Sequence, residues 1–387
     1  MAITSPPDTP VADRLLTPTF VLLGVGELAY LASGGMALYL IPVYATGPVG
    51  SSRAGAGLAF GAFALSALLL RPLAGRLCDT HGRRPLLVGG AAVAAVALLL
   101  TARVDSLAAV VALRLLAGVA EASVFVATFA AVADLAPPNR IGEALSYNSL
   151  ALYLGLAVGP PAGEYLAERH GFASAWYAAA LLAVLAALVL ATISETRTGE
   201  PPAQPAPLIH RRSVPIALGF LASIVAMGGF LAFAALHAES IGMRNTSLPL
   251  FVYGAVVVTG RIVFAKVPDR LPSLPLGAAA LGGIAAGLLL TAAWPSPAGL
   301  LAGTVLLGLG VTFSTPAFFS AIFSLASASE RGSAAAMASA CLDLGLGGGP
   351  ILLGLVAQSA GIPWALTVGA GVAVLGAGWT FSRRVPS

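Results

Sequence analysis

Four ionisable residues sit inside long apolar runs of this chain: Glu27, Arg114, Glu121 and Asp343. A charge in such a place is costly without a partner or water. Each therefore marks either a fixed ion pair or a group that exchanges protons with a water-filled cavity. Glu27 lies about 14 Å along its run, at 1.5 Å per helical residue. Dry surroundings and a nearby guanidinium such as Arg114 pull the protonation of a carboxyl in opposite directions. That opposition is what a proton switch needs. It makes Glu27 the first candidate for proton coupling, with Arg114 and Glu121 biasing it and Asp343 as a second proton or substrate group. Arg114, Gly118, Glu121 and Phe125 recur at spacings of four, three and four, which places them on one helical stripe. Tyr30, Phe125, Met227, Phe230 and Phe313 could form an adaptable apolar wall around a substrate. Glu164, His237 and Glu239 stand near run ends and are expected to face water.

The runs that carry these residues are built for lipid. Hydrophobic residues make up 58% of the 387 and charged residues only 9%, against roughly 45–50% and 25% in ordinary soluble domains. Twelve stretches approach the roughly 20 apolar residues that cross a bilayer. They lie at about 18–45, 54–75, 85–103, 106–133, 143–167 and 172–194, then 213–238, 248–267, 274–293, 298–325, 333–357 and 363–381. This predicts an all-α membrane protein of two six-helix bundles, 17–194 and 213–382. A polar tail (1–16) precedes them, a proline-rich linker (195–212) joins them and a short tail (383–387) follows. With both termini placed in the cytoplasm, fifteen of the 20 Lys and Arg residues fall on or near that side, as the positive-inside rule requires. Trp176, Trp294, Trp364 and Trp379 fall near span ends and read as interfacial anchors.

The two bundles repeat at an ungapped offset of 190 residues. Arg71 and Asp79 match Arg261 and Asp269; Gly118 matches Gly308 and Gly142 matches Gly332. Gly155, Gly159 and Pro160 match Gly345, Gly349 and Pro350, and Gly171 matches Gly361. The charges are not duplicated: Arg114 corresponds to Thr304, Glu121 to Val311, and Asp343 to Tyr153. A duplication of this kind suggests two bundles that rock about a site at the midplane.

Two motifs sharpen the reading. The loop after the second run reads Gly75-Arg-Leu-Cys-Asp79-Thr-His-Gly82-Arg83-Arg84. Gly75 permits close helix approach, Gly82 a tight turn, and Asp79 could sit at a helix N-terminus. The fifth run contains Gly155-Leu-Ala-Val-Gly159-Pro160-Pro-Ala-Gly163, a small-residue face with a proline bend. The loop resembles the cytoplasmic signature of the major facilitator superfamily. The fifth run is similar to that superfamily's antiporter pattern, and Leu113-Arg114 with Gly118 to its membrane-embedded arginine. The resemblance is to the twelve-span drug:proton antiporters and related efflux permeases, and it covers nearly the whole chain. It implies a transporter of the cell membrane, with the loop as a latch between the halves and the Gly155–Gly163 seam as a seal of the interface. The second copy of the loop, from Lys266 to Arg270, has Pro272 where the first has Gly82, so its latch role is in doubt.

The expected activity is export of small hydrophobic or amphipathic compounds in exchange for protons, by a chain working as a monomer. Export or uptake of a polar metabolite is the alternative, although few polar side chains are available to line such a site. A membrane enzyme or receptor is the remote one: four scattered His and two distant Cys, Cys78 and Cys341, form no metal or nucleophile set. No metal, cofactor or nucleic-acid partner is expected. The partners are a small-molecule substrate, protons and the lipid bilayer.

Overall fold

A computed structural model describes residues 15–137, 140–197, 211–326 and 330–383. The tail residues 1–14, linker residues 198–210 and residues 384–387 lie outside it. Thirteen α-helices, numbered in chain order, make up nearly all of the described chain. The first half holds α1 (Pro18–Thr46), α2 (Arg53–His81), α3 (Arg83–Thr101), α4 (Leu107–Leu135), α5 (Ile141–His170) and α6 (Phe172–Ala191). The second holds α7 (Val214–Ser240), α8 (Leu248–Val263), the one-turn α9 (Val267–Arg270), α10 (Ser273–Ala293), α11 (Pro297–Ser324), α12 (Arg331–Ala360) and α13 (Ile362–Phe381). Ten helices are long and apolar enough to cross a membrane by length and composition. The 30-residue α5 and the shorter α8 complete the twelve expected runs. The run expected to reach residue 267 breaks at Val263, because Pro268 has no N–H to continue the ladder and instead opens α9.

Local signals set the helix ends. Hydroxyls of Thr17, Ser52, Ser106 and Ser296 accept a backbone N–H three residues on and cap α1, α2, α4 and α11. Gly171 and Gly361, equivalent in the duplication, take φ of +83° and +94° at the tight α5–α6 and α12–α13 turns, a region in which a side chain would be strained.

The two halves pack alike. In the first, α1 lies on α5 and α6, α2 on α4, and α3 on α4 and α6. In the second, α7 lies on α12 and α13, α8 on α11, and α10 on α11 and α13. They meet along two seams, α2 against α12 and α5 against α8, which the 190-residue offset interchanges. One end of the molecule, the basic end, carries the α2–α3 loop, the start of the linker and the basic residues around it. The opposite, distal end carries the loops 47–52 and 241–247 and the α5–α6 and α12–α13 turns.

One interfacial expectation fails. Trp176 is fully buried, its ring edge-on to Tyr44 at 5.7 Å. Its helix is so rich in alanine that a large ring is drawn inward to fill the space between α1 and α6. Trp294, Trp364 and Trp379 are exposed.

Candidate functional site

The helix starts and crossings bring Glu27 of α1, Arg71 of α2, Glu121 of α4 and Asp343 of α12 to one level, with Arg114 of α4 nearer the distal end. On α4, Gly118 allows close crossing with α2, where a side chain would run into Ser66 and the Phe63 carbonyl. That crossing holds the Arg114–Phe125 stripe against α1 and α2. The Arg114 guanidinium lies over the Phe63 ring at 4.4 Å, and its Nε donates to the Ala59 carbonyl at 3.3 Å. Tyr30 Oη donates to Glu121 Oε2 at 3.1 Å. Glu121 also interacts electrostatically with Arg71, Arg114 and Asp343. Arg71 stacks on Phe125 at 3.9 Å and grips Asp343 of the other half with both Nε and Nη2, the latter at 2.8 Å. The stripe anticipated on α4 is thus one face of a network that crosses between the halves.

Glu27 stands apart from Arg114. It is 7% exposed; its polar neighbours are the Asn148 amide of α5 and Glu121. No ion pair among the described residues includes it. The arginine expected to oppose it stays about Ala59 and Phe63, nearer the distal end, because α1 and α4 run in opposite directions and Arg114 lies early on α4. Asn148 and the cross-half partner of Asp343 were missing from the sequence reading. The Asp343–Arg71 pairing joins residues 272 apart, beyond the reach of helical spacing.

The apolar candidates scatter. Phe313 borders a cleft at the basic end, close to Phe264 at 5.8 Å. Phe230 and Met227 are buried inside the second half, packed on Tyr253, whose Oη approaches Met227 Sδ at 3.0 Å. They form bundle core where a cavity wall was expected, since α7 is buried nearly all round.

The α2–α3 loop is tied down within its own half. Arg83 Nε pairs with Asp134 of α4 at 2.9 Å, and its Nη1 reaches Asp79 at 3.8 Å and the Cys78 carbonyl at 3.0 Å. Arg84 Nη2 donates to the Ala191 carbonyl at 2.5 Å. Asp79 lies in the last turn of α2, not at a helix start. The N-terminus of α3, which begins after Gly82 (φ +98°) without a side-chain cap of its own, receives Glu195: its carboxylate accepts Arg83 N–H at 2.8 Å and Arg84 N–H at 3.1 Å. Gly75 has open space where a side chain would go, so it serves no close approach. None of the described loop residues is bonded to the second half.

The Gly155–Gly163 seam also lies inside the first half. Gly155 and Gly159 face Leu31 and Gly35 of α1, and Gly163 faces Met36 and Leu40. The anticipated seal of the interface is instead an α1–α5 contact, mirrored by Gly345 and Gly349 against Ile224 and Val225 of α7. The halves are sealed by other residues. Gly57 and Gly61 meet the carbonyls of Pro350 and Gly347 so closely that no side chain fits, and Gly254 packs on Ala157.

Glu164 completes the distal seal. Expected to face water, it is 7% exposed. It accepts Thr246 N–H at 2.5 Å, Thr246 Oγ1 at 2.7 Å, Ser247 N–H at 3.1 Å, Ser247 Oγ at 2.5 Å and Tyr39 Oη at 3.4 Å. α8 begins without a side-chain cap of its own, and this carboxylate from the other half takes that place, favoured by the helix dipole. Likewise His237, expected in solvent, is 1% exposed, its Nδ1 3.5 Å from Ser240 Oγ, because α7 lies at the centre of its half.

Towards the basic end, α5, α8 and α11 bound a cleft of about 310 Å³ lined by Tyr147, Ser149, Tyr153, Arg261, Phe264 and Phe313 among others. Arg261 Nη2 donates to Tyr153 Oη at 3.2 Å, and the guanidinium lies over that ring at 4.6 Å.

Residues 23–326 match the sequence family described as Major Facilitator Superfamily. An "Uncharacterized MFS-type transporter" of Pseudomonas aeruginosa (strain LESB58) is 31% identical over 358 residues, covering 84% of this chain and 83% of its own. One of Burkholderia mallei (strain SAVP1) is 31% identical over 368 residues, covering 88% and 87%. Among solved structures, a mutant of the nucleoside transporter NupG superposes with a TM-score of 0.77 at 15% identity, covering 94% of this chain and 99% of that one. The human organic anion transporter MFSD10 does so with 0.74 at 20% identity, covering 94% and 100%. At these identities the structural likeness concerns the fold.

Proposed function

We propose a transport cycle for this chain, which belongs to the Major Facilitator Superfamily and is a multi-pass membrane transporter, not an enzyme: it exports small hydrophobic or amphipathic organic molecules in exchange for protons. The observation that carries this reading is Glu27, a buried carboxylate whose neighbours are an amide and a second acid. A carboxylate held by an arginine is a strut. One without a fixed counter-charge is available to exchange a proton.

In the cycle the basic end faces the cytoplasm, both termini included, and a single chain is the working unit. The closed distal end and the cleft at the basic end describe the state that loads cargo from the cytoplasm. Glu27 takes and releases the proton. Glu121, hydrogen-bonded to Tyr30 and within electrostatic range of Arg71, Arg114 and Asp343, relays the change in charge to the Arg71–Asp343 pair, which joins the halves. Weakening that pair loosens the lower part of the α2–α12 seam, about which the bundles then rock. Asp343 answers the change in Glu27 at the interface.

The test is flux of candidate compounds in proteoliposomes under an imposed pH gradient, wild type against Glu27→Gln. The expected result is loss of gradient-driven flux with exchange of cargo down its own gradient retained. Full gradient-driven flux in the variant would remove Glu27 as the coupling group.

A further inference from the structure

The two seams between the halves contain equivalent arginines in unequal company. The offset of 190 residues carries Arg71 onto Arg261 and Asp343 onto Tyr153, and the structure keeps both pairs: Arg71 holds Asp343 across the α2–α12 seam, and Arg261 holds Tyr153 across the α5–α8 seam. The first arginine has its charge compensated. The second has a neutral phenol where its twin has a carboxylate. Its other bond is a long one, Nη1 to Ser149 Oγ at 3.5 Å, and its Nε is buried with no hydrogen-bond partner. The one acid among the described residues lining the same cleft, Glu143, is gripped by Arg140 on its own helix through two bonds of 2.8 Å. Among the described residues the cleft therefore offers a guanidinium paired with no carboxylate, one further phenol donor in Tyr147, and an apolar side made of Val258, Phe264 and Phe313. A guanidinium without a counter-ion in a partly closed site is costly, and a carboxylate or phosphate matches its fork geometry.

We propose that this cleft is an anion site, and that the acidic group of the transported molecule takes, at Arg261, the place that Asp343 holds at Arg71. The cargo is then an amphipathic organic anion with an apolar body small enough for about 310 Å³. This rests on the transport reading above and narrows its substrate class. Loading supplies the missing negative charge to one seam while the other keeps its own.

The experiment uses the full chain in phosphatidylcholine nanodiscs, with 2-naphthoate, its neutral methyl ester and 2-naphthylmethylammonium as probes, titrated by calorimetry. Naphthoate should bind at least about tenfold more tightly than the ester or the cation, the size of one charge-assisted bond. Arg261→Met should erase the preference for the acid. Tyr153→Asp, which leaves Arg261 in place and rebuilds the pair of the other seam, should erase it too. Both variants are first checked for monodispersity and melting temperature. Should either fail to fold, the ranking of the three probes on the wild type decides. Equal binding of acid and ester, no binding of naphthoate, or a preference that survives in Tyr153→Asp would overturn the assignment. A phosphatidylglycerol headgroup carries the same charge. If adding that lipid abolishes naphthoate binding, the anion at Arg261 is a lipid and the cargo assignment fails. Flux keeps the two readings separate. Arg261-dependent naphthoate binding without pH-driven transport would leave the site and reject proton coupling. pH-driven flux of the cation or ester alone would do the reverse.

Discussion

The α2–α12 and α5–α8 seams are copies of one another, yet each has its carboxylate at a different height. At the distal rung the first seam has Gly57 against Gly354, and the second has the equivalent residues Ser247 and Glu164 joined by hydrogen bonds. One rung nearer the basic end, the first seam has Arg71 with Asp343 and the second has Arg261 with Tyr153. The first seam is therefore closed by backbone contact distally and by an ion pair below. The second is closed distally by a carboxylate that caps α8, and its lower rung has a guanidinium with no carboxylate partner among the described residues, beside a cleft. Backbone packing tolerates no gap and reports no chemistry. A cap made of hydrogen bonds can be exchanged for water at modest net cost. In the proposed transport cycle the first seam then serves as fulcrum and the second as the opening side.

Four changes would break or sharpen that contrast. The largest effect is expected from Asp343→Asn, which strands the Arg71 guanidinium in a buried site at a cost of about 3–5 kcal/mol. Thermal unfolding in detergent should show a marked drop in Tm, and joining Arg71→Met with Asp343→Leu should recover most of it. Glu164→Ala should cost the distal-closed state about 3 kcal/mol, counting only its two backbone N–H bonds at ~1.5 kcal/mol each. Spin labels on the α5–α6 turn and the 241–247 loop should then report a longer distance, and an unchanged distribution would deny this carboxylate a part in closure. Gly61→Val drives a side chain into the Gly347 carbonyl and Ile351, an overpacking cost of about 1–3 kcal/mol. Labels on the loop 47–52 and the α12–α13 turn should move apart, by less than in the second seam after Glu164→Ala if the fulcrum assignment is right.

The smallest change concerns a contact outside both seams. Burial pushes the Glu195 carboxyl up, but the backbone N–H groups of Arg83, Arg197, Arg84 and Thr196 outweigh it and hold it below its ordinary value of 4.5. A carboxyl lowered by folding adds stability that is complete above that ordinary value and fades as pH falls through the lowered one. For so exposed a group the gain is under about 1 kcal/mol. The Tm difference between wild type and Glu195→Gln should be small at pH 7 and close as the solution is acidified below 4.5, with label distances at both seams unmoved.

Much of the architecture was legible from residue order. Runs of apolar residues long enough for lipid imply helices, because only a helix satisfies every backbone group within one segment. The repeat announced two bundles of like make. The site was legible only in part. Arg114, Glu121 and Phe125 could be placed on one face from spacing alone, since helical periodicity is local. Glu164 and Glu195 are not legible as caps, because each caps a helix remote in sequence, across a half or across 111 residues, and no spacing rule reaches so far.

What this chain settles by its order of residues is therefore the membrane solvent, the helices, the duplication and the depth of each charge. Which charge meets which was decided by tertiary structure. Depth follows from a count along a helix, but partnership depends on how helices from two halves lean on one another, and that lean is set by packing among side chains and glycines distant in sequence.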